Sequence, residues 1–200
     1  MLILASASPR RRELLTQAGF SFQVHPAHIL EDPLEGEDPF TYVTRLAREK
    51  AEAVFRELHA AQDSAGEGRL NGKTLAVLGA DTTVTLENHI LGKPEDIADA
   101  ARMLRLLSGR MHRVITGVAL VTAEGAEVAA EATEVRFLAL TDEEIAAYVA
   151  TGEPMDKAGA YAIQGRAARW IPRIEGCYFN VVGLPLALVS TMLESRNLQM

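Results

Sequence analysis

Six residues near the amino terminus combine the groups that bind phosphate. Segment 6–11 reads SASPRR; a short apolar run precedes it and a helical pattern follows it. A helix N-terminus offers unpaired N–H groups and the positive end of the helix dipole, and hydroxyl and guanidinium groups add further donors. Arginines stand at 10, 11 and 12, in the first helical turn, where the dipole disfavours basic side chains. This placement predicts an anionic ligand; the alternative is a solvated basic patch.

An acidic residue follows a second apolar run. Residues 75–80 lead into GADT at 79–82, so that Asp81 is predicted at the carboxyl end of a strand. Ligands of open α/β sheets bind at such ends. A carboxylate placed there can activate water or hold a divalent cation. The alternative interpretation is a plain Asx turn.

Two lysines and a glutamine stand at the edges of predicted elements. Lys50 falls late in a long helix, on the side that faces inward, and Lys93 lies in a turn before a proline. Gln164 stands in a segment rich in small residues, which lets backbone approach a ligand, and its amide can donate to and accept from the edge of a base. Taken singly, each lysine also fits a surface position, and the glutamine segment also fits an ordinary turn.

Composition and charge narrow the class of protein. Of 200 residues, 48% are apolar and 24% charged, which suits a globular core and is too apolar for disorder. The net charge of −7 argues against sequence-independent binding of nucleic acid or of an anionic membrane. This net charge does not exclude a local basic pocket. No signal peptide or membrane span is predicted, so we expect a soluble cytoplasmic protein.

Several kinds of site are absent from the sequence. The single cysteine, Cys177, excludes an intramolecular disulfide and a cysteine-based zinc site. The five histidines are scattered without an HxH or HxxxH pair. Neither GxxxxGK[ST] nor GxGxxG occurs, so phosphate binding must use another scaffold.

Strand and helix patterns alternate along the chain, which predicts an α/β protein with helices on the faces of one sheet. Ser8, Asp38 and Thr141 with Glu144 are predicted to cap helices. Segments 25–38, 61–73 and 152–165 are predicted as loops, and the second is expected to be a mobile surface connection. Strands are predicted at 2–5, 20–24, 75–80, 84–86, 114–122, 127–140 and 170–174, and helices at 10–18, 39–60, 96–108, 141–152 and the carboxyl end.

Seven segments together resemble the Maf family of nucleotide pyrophosphatases. They are LASASPRRRELL from residue 4, RLAREKA from 45, GADTTV from 79, LGKP from 91, MLRLLSGRMHRVITGV from 103, TGEPMDKAGAYAIQG from 151 and VVGLPL from 181. Since they extend from residue 4 to 186, the resemblance indicates a single Maf-like domain over residues 1–200. Within the family, the arginine pair after Ser8-Pro9 and the DKAGAYxIQG segment resemble the corresponding segments of the branch that acts on dTTP and UTP.

The resemblance implies an enzyme that hydrolyses a nucleoside triphosphate to the monophosphate and pyrophosphate, with Mg²⁺ or Mn²⁺ as cofactor. It implies a Maf/Ham1-like fold, in which an elongated mixed sheet with flanking helices forms two lobes around a central cleft, and a homodimer. Position by position, it implies Asp81 as general base; Ser6, Arg11, Lys50 and Lys93 in phosphate binding or catalysis; Arg10, Thr82 and Gln164 in substrate choice; and Glu31 with Asp81 as metal ligands.

Gathered in one cleft, these cations would offset the charge of the triphosphate and depress the pKa values of Glu31 and Asp81. Two alternatives stay open: a nucleotide-binding regulator of septum formation or cell division, and a related hydrolase acting on 7-methyl-GTP or modified nucleotides. Thr83 and Cys177 depart from the usual family residues, and segment 166–169 is unusually basic. The last departure leaves base preference open.

Overall fold

The computed structural model describes residues 1–65, 74–87 and 89–198, with the backbone alone for 62–65. Its strands are β1 (Leu2–Leu4), β2 (Phe22–Val24), β3 (Ala76–Leu86), β4 (His89–Leu91), β5 (Met111–Thr122), β6 (Gly125–Arg136) and β7 (Arg173–Glu175). Its helices are α1 (Pro9–Gln17), α2 (Pro39–Ala65), α3 (Ile97–Leu107), α4 (Asp142–Val149), α5 (Tyr178–Val182) and α6 (Leu186–Ser195). Three short 3₁₀ segments lie at Glu153–Asp156, Ala158–Ala160 and Arg166–Trp170. None of the helices in these ranges is long and apolar enough to cross a membrane.

The strands form one mixed sheet in the order β2-β1-β3-β5-β6-β7, with β4 paired to β3. Strand β1 runs parallel to both neighbours, and the pairs from β3 to β7 are antiparallel. The predicted class, a mixed sheet with flanking helices, is confirmed.

One edge of β3 is unpaired over its central residues. Strand β5 covers the opposite edge from Val77 to Thr85. On the free side, β1 pairs only with Ala76–Leu78 and β4 only with Val84–Leu86. Residues 79–83 therefore have no neighbouring strand on this side, and the resulting gap in the sheet opens into a cleft.

Helix α2 lies directly on the sheet because two strand residues have no side chain. A Cβ built on Gly79 would lie 2.1 Å from the carbonyl oxygen of Ala47, and one on Gly117 would lie 2.3 Å from that of Val43. Contacts this short are impossible for any other residue, so the two glycines set the distance between helix and sheet.

Two apolar clusters pack against the other face, one at each end of β3. The first joins the start of β3 to α1 and α6 through residues such as Leu15, Leu78 and Val189. The second joins its end to α3 and α4 through residues such as Leu104 and Tyr148. The two clusters lie on either side of the gap, as the predicted two lobes require.

The helix caps agree with the sequence and several boundaries do not. Ser8, Asp38 and the Thr141–Glu144 box cap their helices as predicted. Helix α2 continues to Ala65 instead of ending near 60, and residues 66–73 of the predicted connection lie outside the described residues.

The strands predicted at 127–140 and 170–174 are wrong in part. Strand β6 ends at Arg136, because the next residues leave the sheet to bond with other segments. Trp170 belongs to a helical turn, where its buried indole N–H donates to Glu144 at 3.1 Å. Only Arg173–Glu175 forms a strand.

Candidate active site

The gap in the sheet opens into a cleft of about 520 Å³. This volume lies in the range of small-molecule sites. Helices α1 and α2, strand β3, the turn after β4 and the segment after α4 all supply its walls. Every residue predicted for the site lines it: Ser6, Arg10, Arg11, Glu31, Lys50, Asp81, Thr82, Lys93 and Gln164.

The amino-terminal segment turns from β1 into α1 at the cleft. Ser8 caps the helix by accepting from the Arg11 N–H at 3.5 Å, and Pro9 is the first helical residue. The first turn of α1 contains no acidic side chain. Its dipole is therefore left to favour an anion, which agrees with the predicted phosphate site.

Arg11 is buried and bonded entirely to neutral oxygens. Its Nε donates to the Gly183 carbonyl at 2.8 Å, its Nη1 to Ser6 Oγ at 3.0 Å and its Nη2 to Thr82 Oγ1 at 3.0 Å. Burial lowers the pKa of the guanidinium, and the field of Asp81 opposes this. Three directed bonds hold the fork in place without an ion pair, so that its charge is available to a ligand.

A chain of hydroxyls continues from Arg11 into the core. Thr82 Oγ1 lies 3.0 Å from Thr116 Oγ1, and Thr116 donates to the Asn180 carbonyl at 3.1 Å. Because the one hydroxyl proton of Thr116 goes to Asn180, Thr82 donates in the bond between the two threonines, and the Gly183 carbonyl at 3.4 Å is a second acceptor for the same Thr82 proton. The hydroxyl of Thr82 is thereby directed to Arg11 and Thr116.

Asp81 projects from the opposite face of β3, towards α2. Lys50 Nζ lies 2.7 Å from Asp81 Oδ1 and 2.8 Å from Glu31 Oε1. Asp81 and Lys50 are both 7% exposed, whereas the Glu31 side chain is half-exposed. The prediction that Asp81 stands at the end of a strand is wrong, because β3 continues to Leu86. The carboxylate reaches the cleft through the unpaired edge.

The two carboxylates have pKa values shifted in opposite directions. Burial raises the pKa of Asp81 above its usual range, more than Lys50 and Arg11 lower it. Burial also raises the pKa of Glu31, but the hydrogen bond from Lys50 and its positive charge outweigh this effect, so the pKa of Glu31 is lowered. The expected depression is therefore confirmed for Glu31 and wrong for Asp81, because a nearly complete loss of solvent disfavours the charged form.

The loop that carries Glu31 is tied to α2. The Tyr42 hydroxyl donates to the Glu31 carbonyl at 2.8 Å, and burial raises the pKa of that phenol to about 12. Arg45 donates to the Asp32 carbonyl at 3.1 Å and pairs with the Glu37 carboxylate at 2.6 Å. These bonds place Glu31 beside Lys50.

The remaining predicted residues stand at the rim. Arg10 Nη1 lies 3.4 Å from Asp156 Oδ2, which joins α1 to the segment after α4. Lys93 and Gln164 are exposed, and within the described ranges neither side chain bonds to the protein. Their polar groups are free to meet a ligand.

The donor set fits a divalent cation only in part. Within residues 1–65, 74–87 and 89–198, no three His, Cys, Asp or Glu side chains are grouped for a metal. The carboxylates of Glu31 and Asp81 do reach one cation, the Lys50 ammonium. Mg²⁺ is commonly held by one or two carboxylates with substrate phosphates and water, and this pair fits that pattern.

Sequence reasoning missed several residues that shape the cleft. Thr116 and Asn180 resemble ordinary core residues, and no local signal distinguishes them. A glycine inside an apolar strand indicates close approach of another backbone. That signal, at Gly117, could have predicted the contact with α2.

Comparison with known proteins places the whole chain in one group. Residues 1–196 match the family model described as Maf-like protein. A protein of Koribacter versatilis named dTTP/UTP pyrophosphatase is 52% identical over 96% of this chain and 93% of its own length. One of Geobacter sp. with the same name is 54% identical over 94% of this chain and 91% of its own.

A solved structure also aligns along the chain. It is titled "The structure of the Staphylococcus aureus Ham1 protein" and shares 14% identity over 98% of each chain, with a TM-score of 0.41. The family match covers nearly all of the sequence, and the relatives are about half identical along almost their full length. This chain therefore belongs to the Maf family.

Proposed function

We propose that this protein hydrolyses dTTP and UTP to the nucleoside monophosphate and pyrophosphate. The observation that carries the proposal is the pairing of buried Asp81 with Lys50, close to a buried Arg11 guanidinium that bonds only to neutral oxygens. A polyanion binder without chemistry would gain nothing from a carboxylate here. The names of the relatives from Koribacter and Geobacter support the choice of substrate.

In the proposed reaction, Asp81 takes a proton from water. The water oxygen bonds to phosphorus of the α–β phosphoanhydride, the bridging P–O bond breaks, and its electron pair leaves with pyrophosphate. Arg11, Lys50 and Lys93 offset the charge that develops on the phosphate oxygens. Ser6 holds Arg11 in place through its 3.0 Å bond.

Glu31 and Asp81 would hold the divalent cation. When bound there, Mg²⁺ or Mn²⁺ would neutralise charge on the phosphates. Lys50, which contacts both carboxylates, already pairs each of them with a positive group.

Base choice falls to the rim of the cleft. The Gln164 amide can donate to and accept from the edge of a pyrimidine. Arg10 lies beside the same wall through its contact with Asp156. Thr82 contributes to substrate choice by holding Arg11, since its hydroxyl is already bonded there. Once the bound nucleotide buries these polar groups, a base that leaves one of them unpaired is disfavoured by about 1–3 kcal/mol for each group.

The test is a screen of pyrophosphate release. Purified protein is incubated with canonical, 7-methyl-GTP and modified triphosphates, with and without Mn²⁺. The proposal predicts greatest kcat/KM for dTTP and UTP. Nucleotide binding without release would favour the regulator, and preference for 7-methyl-GTP would favour the other branch. Homodimer formation and a cytoplasmic location remain predictions; sedimentation velocity tests the first.

A further inference from the structure

The segment that carries Gln164 is fixed at both ends while its central side chain is free. The Ala162 N–H donates to the Tyr148 hydroxyl at 3.3 Å, and the Arg166 N–H donates to the Glu153 carboxylate at 3.0 Å. Gln164, between these two anchors, is exposed at the cleft. The backbone is therefore held on either side of the side chain proposed to read the base.

The two anchoring side chains are bonded to each other. The Tyr148 hydroxyl donates to Glu153 Oε1 at 2.9 Å while it accepts from Ala162. Burial, with the Glu153 bond adding to it, raises the pKa of Tyr148, so the phenol keeps the proton that this bond needs. One hydroxyl and one carboxylate thus connect the end of α4 to both ends of the segment.

Gly165 shows how closely the carboxylate is packed. A Cβ built on this residue would lie 1.9 Å from Glu153 Oε1 and 2.5 Å from its carboxyl carbon. The Glu153 carboxylate therefore lies against the peptide next to Gln164. A side chain at position 165 would have to displace this carboxylate.

The anchors rest on a packed part of the core. Tyr148 is 2% exposed, and its ring meets that of Trp170 edge to face at 5.3 Å. On the far side, the Trp170 indole donates to Glu144. Glu144 is therefore bonded to the same pair of packed rings, Tyr148 and Trp170, through the Trp170 indole. It makes no hydrogen bond to residues 162–166, so its replacement serves as a matched control.

We propose that Tyr148 and Glu153 are positioning residues for base selection, acting through Gln164. This inference rests on the proposed function, because it takes Gln164 to be the residue that meets the base. Neither side chain touches the phosphate-binding wall formed by Arg11 and Lys50. Their loss therefore alters the choice among nucleotides more than the hydrolysis itself.

The test compares Y148F, E153A and E153Q with E144Q. In each, kcat and KM for UTP, dTTP, CTP and ATP are measured by pyrophosphate release. We expect Y148F and E153A to lower the UTP preference over CTP about tenfold, mainly through KM for UTP. E153Q keeps one acceptor oxygen and should fall between wild type and E153A. E144Q should keep the wild-type preference.

The outcomes separate the two proposals. Wild-type protein that releases no pyrophosphate from any triphosphate contradicts the proposed function. Wild-type protein that prefers UTP, with unchanged preference in folded Y148F and E153A, overturns the positioning role alone. An equal loss of UTP preference in E144Q and E153Q also overturns the positioning role, since the effect would then come from disturbing the packing of Tyr148 and Trp170 in general. Circular dichroism confirms folding, and E153Q carries the test if Y148F does not fold.

Discussion

Lys50 and Asp81 meet at 2.7 Å between helix α2 and strand β3, with each side chain only 9% exposed. The ammonium also reaches Glu31, at 2.8 Å. A buried ion pair of this kind contributes little to stability, because desolvation offsets the attraction. Its value lies in keeping a buried carboxylate charged beside the phosphate site.

Replacing Asp81 with Asn should separate activity from stability. We expect pyrophosphate release to fall about a thousandfold, as for loss of a general base, while nucleotide binding persists. Burial raises the Asp81 pKa, so the folded state carries a cost for the charged form at neutral pH. D81N should therefore melt no lower than wild type near pH 7, and the difference should vanish as acid protonates Asp81. Turnover close to wild type in D81N would remove Asp81 from the mechanism.

Replacing Lys50 with Met should move the acid limb of the pH–rate profile. Lys50 lowers the pKa of Asp81 by charge and by hydrogen bond. Without it, the pKa of Asp81 rises further, and kcat/KM should begin to fall at a higher pH than in wild type. K50R keeps the charge and serves as the control. The position of the limb is measured independently of the lower rate, and an unmoved limb contradicts the coupling.

Removing the Thr116 hydroxyl should loosen Arg11. In T116V, Thr82 loses the nearer of its two acceptors and keeps only the Gly183 carbonyl at 3.4 Å, and the Asn180 carbonyl loses a donor. We expect a cost of about 1–3 kcal/mol in unfolding free energy and a rise in KM larger than the change in kcat. T116S, which restores the hydroxyl, should recover KM. Recovery of stability without recovery of KM would show that the chain does not serve Arg11.

Adding a methyl group at Gly117 should push α2 off the sheet. The new Cβ would lie 2.3 Å from the Val43 carbonyl oxygen and 2.7 Å from the Thr44 nitrogen. We expect G117A to lose about 3 kcal/mol in chemical denaturation, at the upper end of the range for overpacking. G92A is the control, because a Cβ on Gly92 meets nothing within 4 Å. Equal stability of the two variants would contradict the close contact.

His112 should make stability depend on acid pH. Burial lowers its pKa from 6.5 to about 4, and its Nε2 bonds to the Tyr161 hydroxyl at 2.8 Å. Between these values the unfolded chain binds a proton that the folded chain does not, so stability is full above pH 6.5 and declines towards pH 4. The loss approaches roughly 3 kcal/mol. Urea denaturation at several pH values should show a flatter profile in H112Q.

Local signals in the sequence were sufficient to predict the helix caps and to select residues that line the cleft. They were insufficient to predict the surroundings of these residues. Ser8, Asp38 and the Thr141–Glu144 pair act within a few residues of themselves, and their roles are confirmed. Asp81 reaches the cleft from the middle of β3 because β1 ends before it and β4 pairs only after it. The sequence around Asp81 carries no signal of where these two strands end. The raised pKa of Asp81 likewise comes from burial under α2.

Residues that act through others were the least visible. Thr116, Tyr148 and Glu153 have types and spacings typical of any strand or helix end. Their bonds connect segments that are distant in the sequence, such as Thr116 with Thr82 and Glu153 with Arg166. Only the folded chain brings these partners together, so they could not be predicted from spacing.

The glycine contacts beneath α2 also fix the side of the cleft on which hydrolysis is proposed to occur. Backbone already touches backbone at Gly79 and Gly117, so α2 cannot move closer and Lys50 is held at one distance from Asp81. A change of base preference would then arise on the other side of the cleft, where Gln164 and Arg10 lie. Exchange of segment 151–170 between relatives should therefore change the nucleotide accepted and leave the hydrolytic groups untouched.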